Sequence, residues 1–213
     1  MTTEESGSAG NTAPGDISTA RKVYIVTMVQ PSEGAPEGFE KRYDAYWAAI
    51  DKQVSQLEEK AGAVAHIFVE GVVGTGDDAM LMVRQSNPGA HTVVNRRVLA
   101  GAVLDEYEDA GLFGKVVDWG RCLHIGLINP EVAEEIQGKY DEATRQRSAH
   151  LQNRLDAGIL ESETALVFGG GSDTNVPDGV EKFLISPPEL DELERWVKKT
   201  NETIQQQMAQ DEA

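Results

Sequence analysis

The chain has one cysteine, Cys122, and four histidines in 213 residues. A single cysteine excludes an internal disulfide and any thiolate metal cluster, and a reducing compartment suits it. The histidines, at 66, 91, 124 and 150, do not recur at ligand spacing, so each reads as structural and no metal is expected. No run of about 18 apolar residues occurs, which removes a spanning helix from the expectations. Basic charge is scarce, with 19 Lys and Arg against 36 Asp and Glu, a net charge of −17. Such a surface repels phosphate backbones and anionic lipid, so neither nucleic acid nor a membrane is an expected partner. Gly-x-Ser-x-Gly and His-Glu-x-x-His are both missing, and Gly71-x-x-Gly74-x-Gly76 reverses the dinucleotide spacing with no P-loop lysine behind it. No cofactor is expected.

Hydrophobic residues make up 40% of the chain, enough for one sizeable core. Residues 1–20 are rich in Ser, Thr, Gly and Glu. They have neither a basic start nor an apolar stretch, so the expectation is a disordered tail rather than a secretory signal, followed by one domain over 21–210 in the cytoplasm.

Val23 to Val29 is β-branched and apolar on both faces, as in a strand buried on both sides. Phe39, Tyr43, Tyr46, Trp47, Ile50, Val54, Leu57 and Ala61 form one stripe of a long helix that Gly62 stops. A strand is expected over Val64–Glu70, and mostly helical structure over Asp77–Tyr107, with Leu99 and Val103 among its apolar cover. Asn87-Pro88 reads as a cap and first helical residue. Glu106–Asp109 reads as exposed acid, and Arg121–Ile125 as a strand. Asn129-Pro130 opens a helix to about Ala157. Strands follow at Thr164–Phe168 and Lys182–Ile185. Ser186-Pro187-Pro188-Glu189 then starts a last helix with Leu190, Leu193, Val197, Ile204 and Met208 on one face. This alternation predicts an α/β fold, a single domain with a mostly parallel or mixed sheet flanked by helices on both faces.

Ligands of such sheets bind beyond the carboxyl ends of the strands. Glu70 and Gly71 stand at one such end, and Gly169, Gly170 and Gly171 at another, where glycines expose amide donors. Around the 129–157 helix, at about 100° per residue, Arg147 falls among Ile136, Tyr140, Ala143 and Leu151, with Arg154 on the same side. An inward guanidinium keeps its charge and requires a carboxylate or an anionic ligand. Glu70 is the expected partner. Three readings stay open: a buried pair that only fixes the helix, an anion or substrate site, and an exposed, snorkelling arginine.

Three pieces, Ile67-Phe68-Val69-Glu70-Gly71, Arg145 to His150, and Ala165 to Ser172, resemble the erythromycin-esterase/ChaN-like/TraB-like superfamily in order and rough spacing. The resemblance spans Val23 to Trp196. It implies a histidine after the first strand and another after the glycine-ended strand, where this chain has Gln30 and Ser172. An amide and a hydroxyl hydrogen-bond but do not titrate near neutrality. What the resemblance implies is therefore a small polar or anionic ligand bound by Glu70, Gly71, Arg147, the three glycines, Ser172 and Gln30, without turnover. The alternative is a hydrolase with Glu70 as general base and Arg147 as electrostatic stabiliser. A third expectation is an interaction module or homo-oligomer, using the 39–61 helix or the C-terminal helix.

Overall fold

The computed structural model describes residues 20–32 and 34–211. The expected tail, 1–20, lies outside them except for Ala20. Among the described residues five strands form one sheet: β1 (Arg21–Thr27), β2 (His66–Val69), β3 (Val103–Leu104), β4 (Thr164–Gly169) and β5 (Val180–Ile185). Their order is β3-β2-β4-β1-β5, and every strand pair is parallel. Among the described residues six α-helices accompany them: α1 (Phe39–Ala61), α2 (Gly76–Ser86), α3 (Pro88–Leu99), α4 (Ala110–His124), α5 (Pro130–Gly158) and, after the last strand, α6 (Pro188–Asp211).

Strand alternation divides the core in two. Tyr24, Val26, Ile67, Val69, Leu166 and Phe168 face one side, where they meet Tyr46, Trp47 and Ile50 of α1, Val83 of α2, Val93 and Val94 of α3, and Leu190 of α6. Val23, Ile25, Phe68, Ala165 and Val167 face the other and meet Leu151 and Leu155 of α5. The predicted stripe of α1 is this buried face, with Tyr43, Tyr46, Trp47, Ile50 and Val54 all inside. Gly89 of α3 lies flat on the Trp47 ring, where a Cβ would come within 2.1 Å of ring carbon. Asn87 caps α3 by accepting from the Ala90 amide, and Asn129 caps α5 by accepting from Glu131.

The structure corrects several expectations. Arg121–Ile125 is not a strand: Asp109 accepts the Leu112 amide and starts α4, which carries this segment through His124. The missing strand is β3, two residues long, which closes the sheet edge through Val103↔His66 and Leu104↔Ile67. Leu99 and Val103 are exposed rather than apolar cover. So are Ile204 and Met208, because α6 leaves the core after its first turns. Within the acidic run, Glu106 and Asp109 are exposed as expected, but Tyr107 and Glu108 are buried. Among the described residues no helix is long and apolar enough to cross a membrane.

Candidate functional site

The chain leaves β2 toward β3 at one edge of the sheet, and leaves β4 toward β5 at the other. β2 and β4 are neighbours, with Val69 paired to Phe168. Their carboxyl ends therefore open a crevice at a topological switch point, where α/β sheets hold ligands. Glu70 follows β2, and its amide donates to the Phe168 carbonyl at 2.9 Å. Its side chain crosses Gly169 so closely that a Cβ there would lie 2.1 Å from Oε1. Glycine is thus required at 169 by the carboxylate passing over it. Glu70 Oε1 accepts the Gly170 amide at 3.1 Å.

Arg147, from α5, reaches the other oxygen: Nη2 donates to Glu70 Oε2 at 3.1 Å. Its principal partner is Glu108. Nε donates to both Glu108 oxygens at 3.0 and 3.1 Å, and Nη2 donates to Oε1 as well. The Glu108 side chain is 0% exposed, against 19% for Arg147 and 24% for Glu70. The guanidinium lies 5.6 Å from the Phe113 ring centre of α4, and Phe113 also covers Gly71. Burial by itself lowers the Arg147 pKa. Hydrogen bonds and charge from Glu108, then from Glu70, outweigh it, and the net direction is up. Tyr107 is pushed up by burial first and by the Glu70 carboxylate second.

A cleft of about 180 Å³ opens beside the Glu70–Arg147 pair. Tyr107, Thr144, Ser148, Leu151, Gly170, Asp173, Thr174 and Asn175 complete its lining. The loop from β4 to β5 is fastened at three points: Lys182 Nζ donates to the Ser172 and Thr174 carbonyls, and Asn175 Nδ2 donates to Ser148 Oγ on α5. Thr174 is 8% exposed, and its Oγ1 has no hydrogen-bond partner.

Sequence reasoning brought Glu70, Arg147 and Gly170 together, and the structure places them in contact. Gly169 supplies the clearance for Glu70, and Gly71 sits under Phe113. Gly171 is buried at φ 62°, with Thr27 Oγ1 2.4 Å from where its Cβ would be. It opens a short 3-10 helix, Gly171–Asp173, and does not line the cleft. Gln30 and Ser172 are exposed and also lie outside the lining, Ser172 donating to Asp173. Glu108 was missed. An arginine in an apolar stripe signals a buried acid, but the sequence does not say which one. Arg154 donates to the Glu106 carbonyl at 2.9 Å, outside the cleft. A wider hollow of about 590 Å³ beside Pro31, Phe39 and Tyr43 has no unpartnered buried polar atom in its described lining.

Fold and site together define a parallel α/β protein with a polar cleft at its switch point. No protein-family model, curated protein or solved structure matches the chain.

Proposed function

We propose that this chain binds a small polar ligand in the cleft between the carboxyl ends of β2 and β4, without hydrolysing it. The observation that carries the reading is Glu70, a partly exposed carboxylate fixed from both sides by Gly170 and Arg147 beside the unpartnered Thr174 hydroxyl. An acceptor oriented in advance binds without ordering cost, and a buried polar atom without a partner favours a ligand that supplies one. The cleft is smaller than the roughly 300–1,000 Å³ of drug-sized sites, which limits the ligand, or its anchored part, to a few heavy atoms.

Binding is favoured over hydrolysis. Each Glu70 oxygen already accepts one hydrogen bond, and the lining contains no histidine or cysteine to relay a proton or attack a carbonyl. This suits a catalytically silent relative of the erythromycin-esterase/ChaN-like/TraB-like hydrolases. The adjacent Glu70 and Gly170 and the reach of Arg147 support that kinship, and the absence of histidine at 30 and 172 supports the lack of turnover. The single cysteine and acidic surface favour a reducing cytoplasm.

A thermal-shift screen of polyols, amino acids, amines and metal ions tests the reading on wild type and Glu70→Gln. At least one compound is expected to raise the wild-type Tm with concentration, and to leave the variant's Tm unmoved. If no compound binds, or if wild type and variant respond alike, the reading is wrong.

A further inference from the structure

Building on that binding reading, we propose that the cleft is an ammonium site: its ligand is a small organic cation whose protonated amine is held by Glu70, Asp173 and Thr174 Oγ1. Charge is the first observation. Glu108 holds the Arg147 guanidinium through both oxygens, Glu70 bonds it from one side, and Asp173 lines the same cleft. With the Lys182 ammonium on the Ser172 and Thr174 carbonyls, these three carboxylates face two cations. Arg147 is therefore neutralised from below, and the carboxylates nearest the opening remain in excess. An anion, the class the sequence left open, would meet that excess.

Hydrogen-bonding capacity is the second observation, and it is independent of charge. Glu70 keeps one lone-pair site on each oxygen after the bonds from Gly170 and Arg147. Thr174 Oγ1 is buried and unpartnered in the lining. Of the local donors, Asn175 Nδ2 is taken by Ser148 and Lys182 Nζ by the loop carbonyls, while Arg147 Nη1 donates to nothing among the described residues. The free acceptor capacity of Glu70 and Thr174 Oγ1 matches an ammonium group, which supplies three donors and no acceptor. The net charge of −17 also raises the concentration of cations near the opening.

The test is isothermal titration of the full chain with n-propylammonium chloride, n-propanol and sodium propionate at fixed ionic strength. The three probes have nearly the same shape and differ in charge. The amine is expected to bind at least tenfold tighter than the alcohol, with no heat from the carboxylate. Thr174→Val keeps the volume and removes the hydroxyl. It is expected to weaken amine binding about tenfold, the usual effect of losing a hydrogen bond to a charged group. Asp173→Asn, at an exposed position, is expected to weaken it by several-fold with the fold intact by circular dichroism. Equal binding of amine and alcohol overturns the ammonium assignment, as does preference for propionate or an unaffected Thr174→Val. A polyol that binds wild type and not Glu70→Gln, with no amine binding, would leave the pocket standing and overturn only its ligand class. Silence from every probe, here and in the thermal screen, overturns both.

Discussion

Two inward arginines, one buried and one half-buried, on opposite faces of the sheet, show what separates a staple from a site. Arg97 of α3 is 3% exposed and lies between α3 and α1. It is held by Asp51, Glu58, the Ser55 hydroxyl and the Asp51 and Val93 carbonyls. Its two acids are partly exposed, and Asp51 has a second cation in Arg96. On the opposite face the burial is reversed. Arg147 is the wetter member, and its partner Glu108 is the group with no contact with water. The cation is enclosed in one pair and the anion in the other. The second pair borders a cleft, where the chain diverges above two adjacent strands. A buried charge is therefore not evidence of function by itself. What it leaves exposed decides.

The contrast predicts unequal costs. Arg147→Met strands the enclosed Glu108 carboxylate and is expected to cost about 3–5 kcal/mol in urea unfolding. Adding Glu108→Gln should recover more than half, since the remaining pair carries no buried charge. Equal stability of the single and double variants would show that Glu108 does not depend on Arg147. Arg97→Met is expected to cost less, about 2 kcal/mol, because Asp51 and Glu58 reach water and Asp51 keeps Arg96. It should leave ligand binding unchanged. A larger loss for Arg97→Met than for Arg147→Met would invert the comparison.

A further effect is alkaline. Tyr24, on the Arg97 face, is pushed up to about 12 by burial first and by Glu58 second. A pKa raised by folding gives stability that is complete below about pH 10 and is lost as pH climbs toward 12. Tyr107, on the Arg147 face, shifts the same way, with Glu70 contributing after burial. Urea midpoints followed from pH 9 to 12 should fall. Tyr24→Phe and Tyr107→Phe should each soften the fall, and Glu70→Gln should soften the Tyr107 share alone. A flat profile would contradict both shifts.

The same comparison explains what was legible in the sequence. The α1 stripe was readable because helical period and burial agree at Tyr43, Tyr46, Trp47, Ile50 and Val54. The Glu70–Arg147 contact was readable because a guanidinium among apolar residues requires an acid, and a strand's carboxyl end offered one. Glu108 was not readable. It sits in an acidic run, and its burial depends on how Arg147 of α5 closes over it, which is a tertiary event. Arg97 was missed because its acids lie a helix away, at 51 and 58. β3 is too short to show a period, and its pairing with β2 decides it. The segment 121–125 has strand-like composition, but Asp109, twelve residues earlier, had already committed it to a helix. Thr174 carries no sequence signal. Its isolation appears only once the 170–179 loop is folded against α5.

The most direct test is an amide nitrogen–proton correlation spectrum recorded while n-propylammonium is titrated into the full chain. Gly170 N–H donates to Glu70 and reports on that carboxylate, and Thr174 reports on the cleft wall. The account predicts saturable shifts at Gly170 and Thr174, with Arg97 and its neighbours unmoved. Shifts spread over the acidic surface, with Gly170 still, would contradict it.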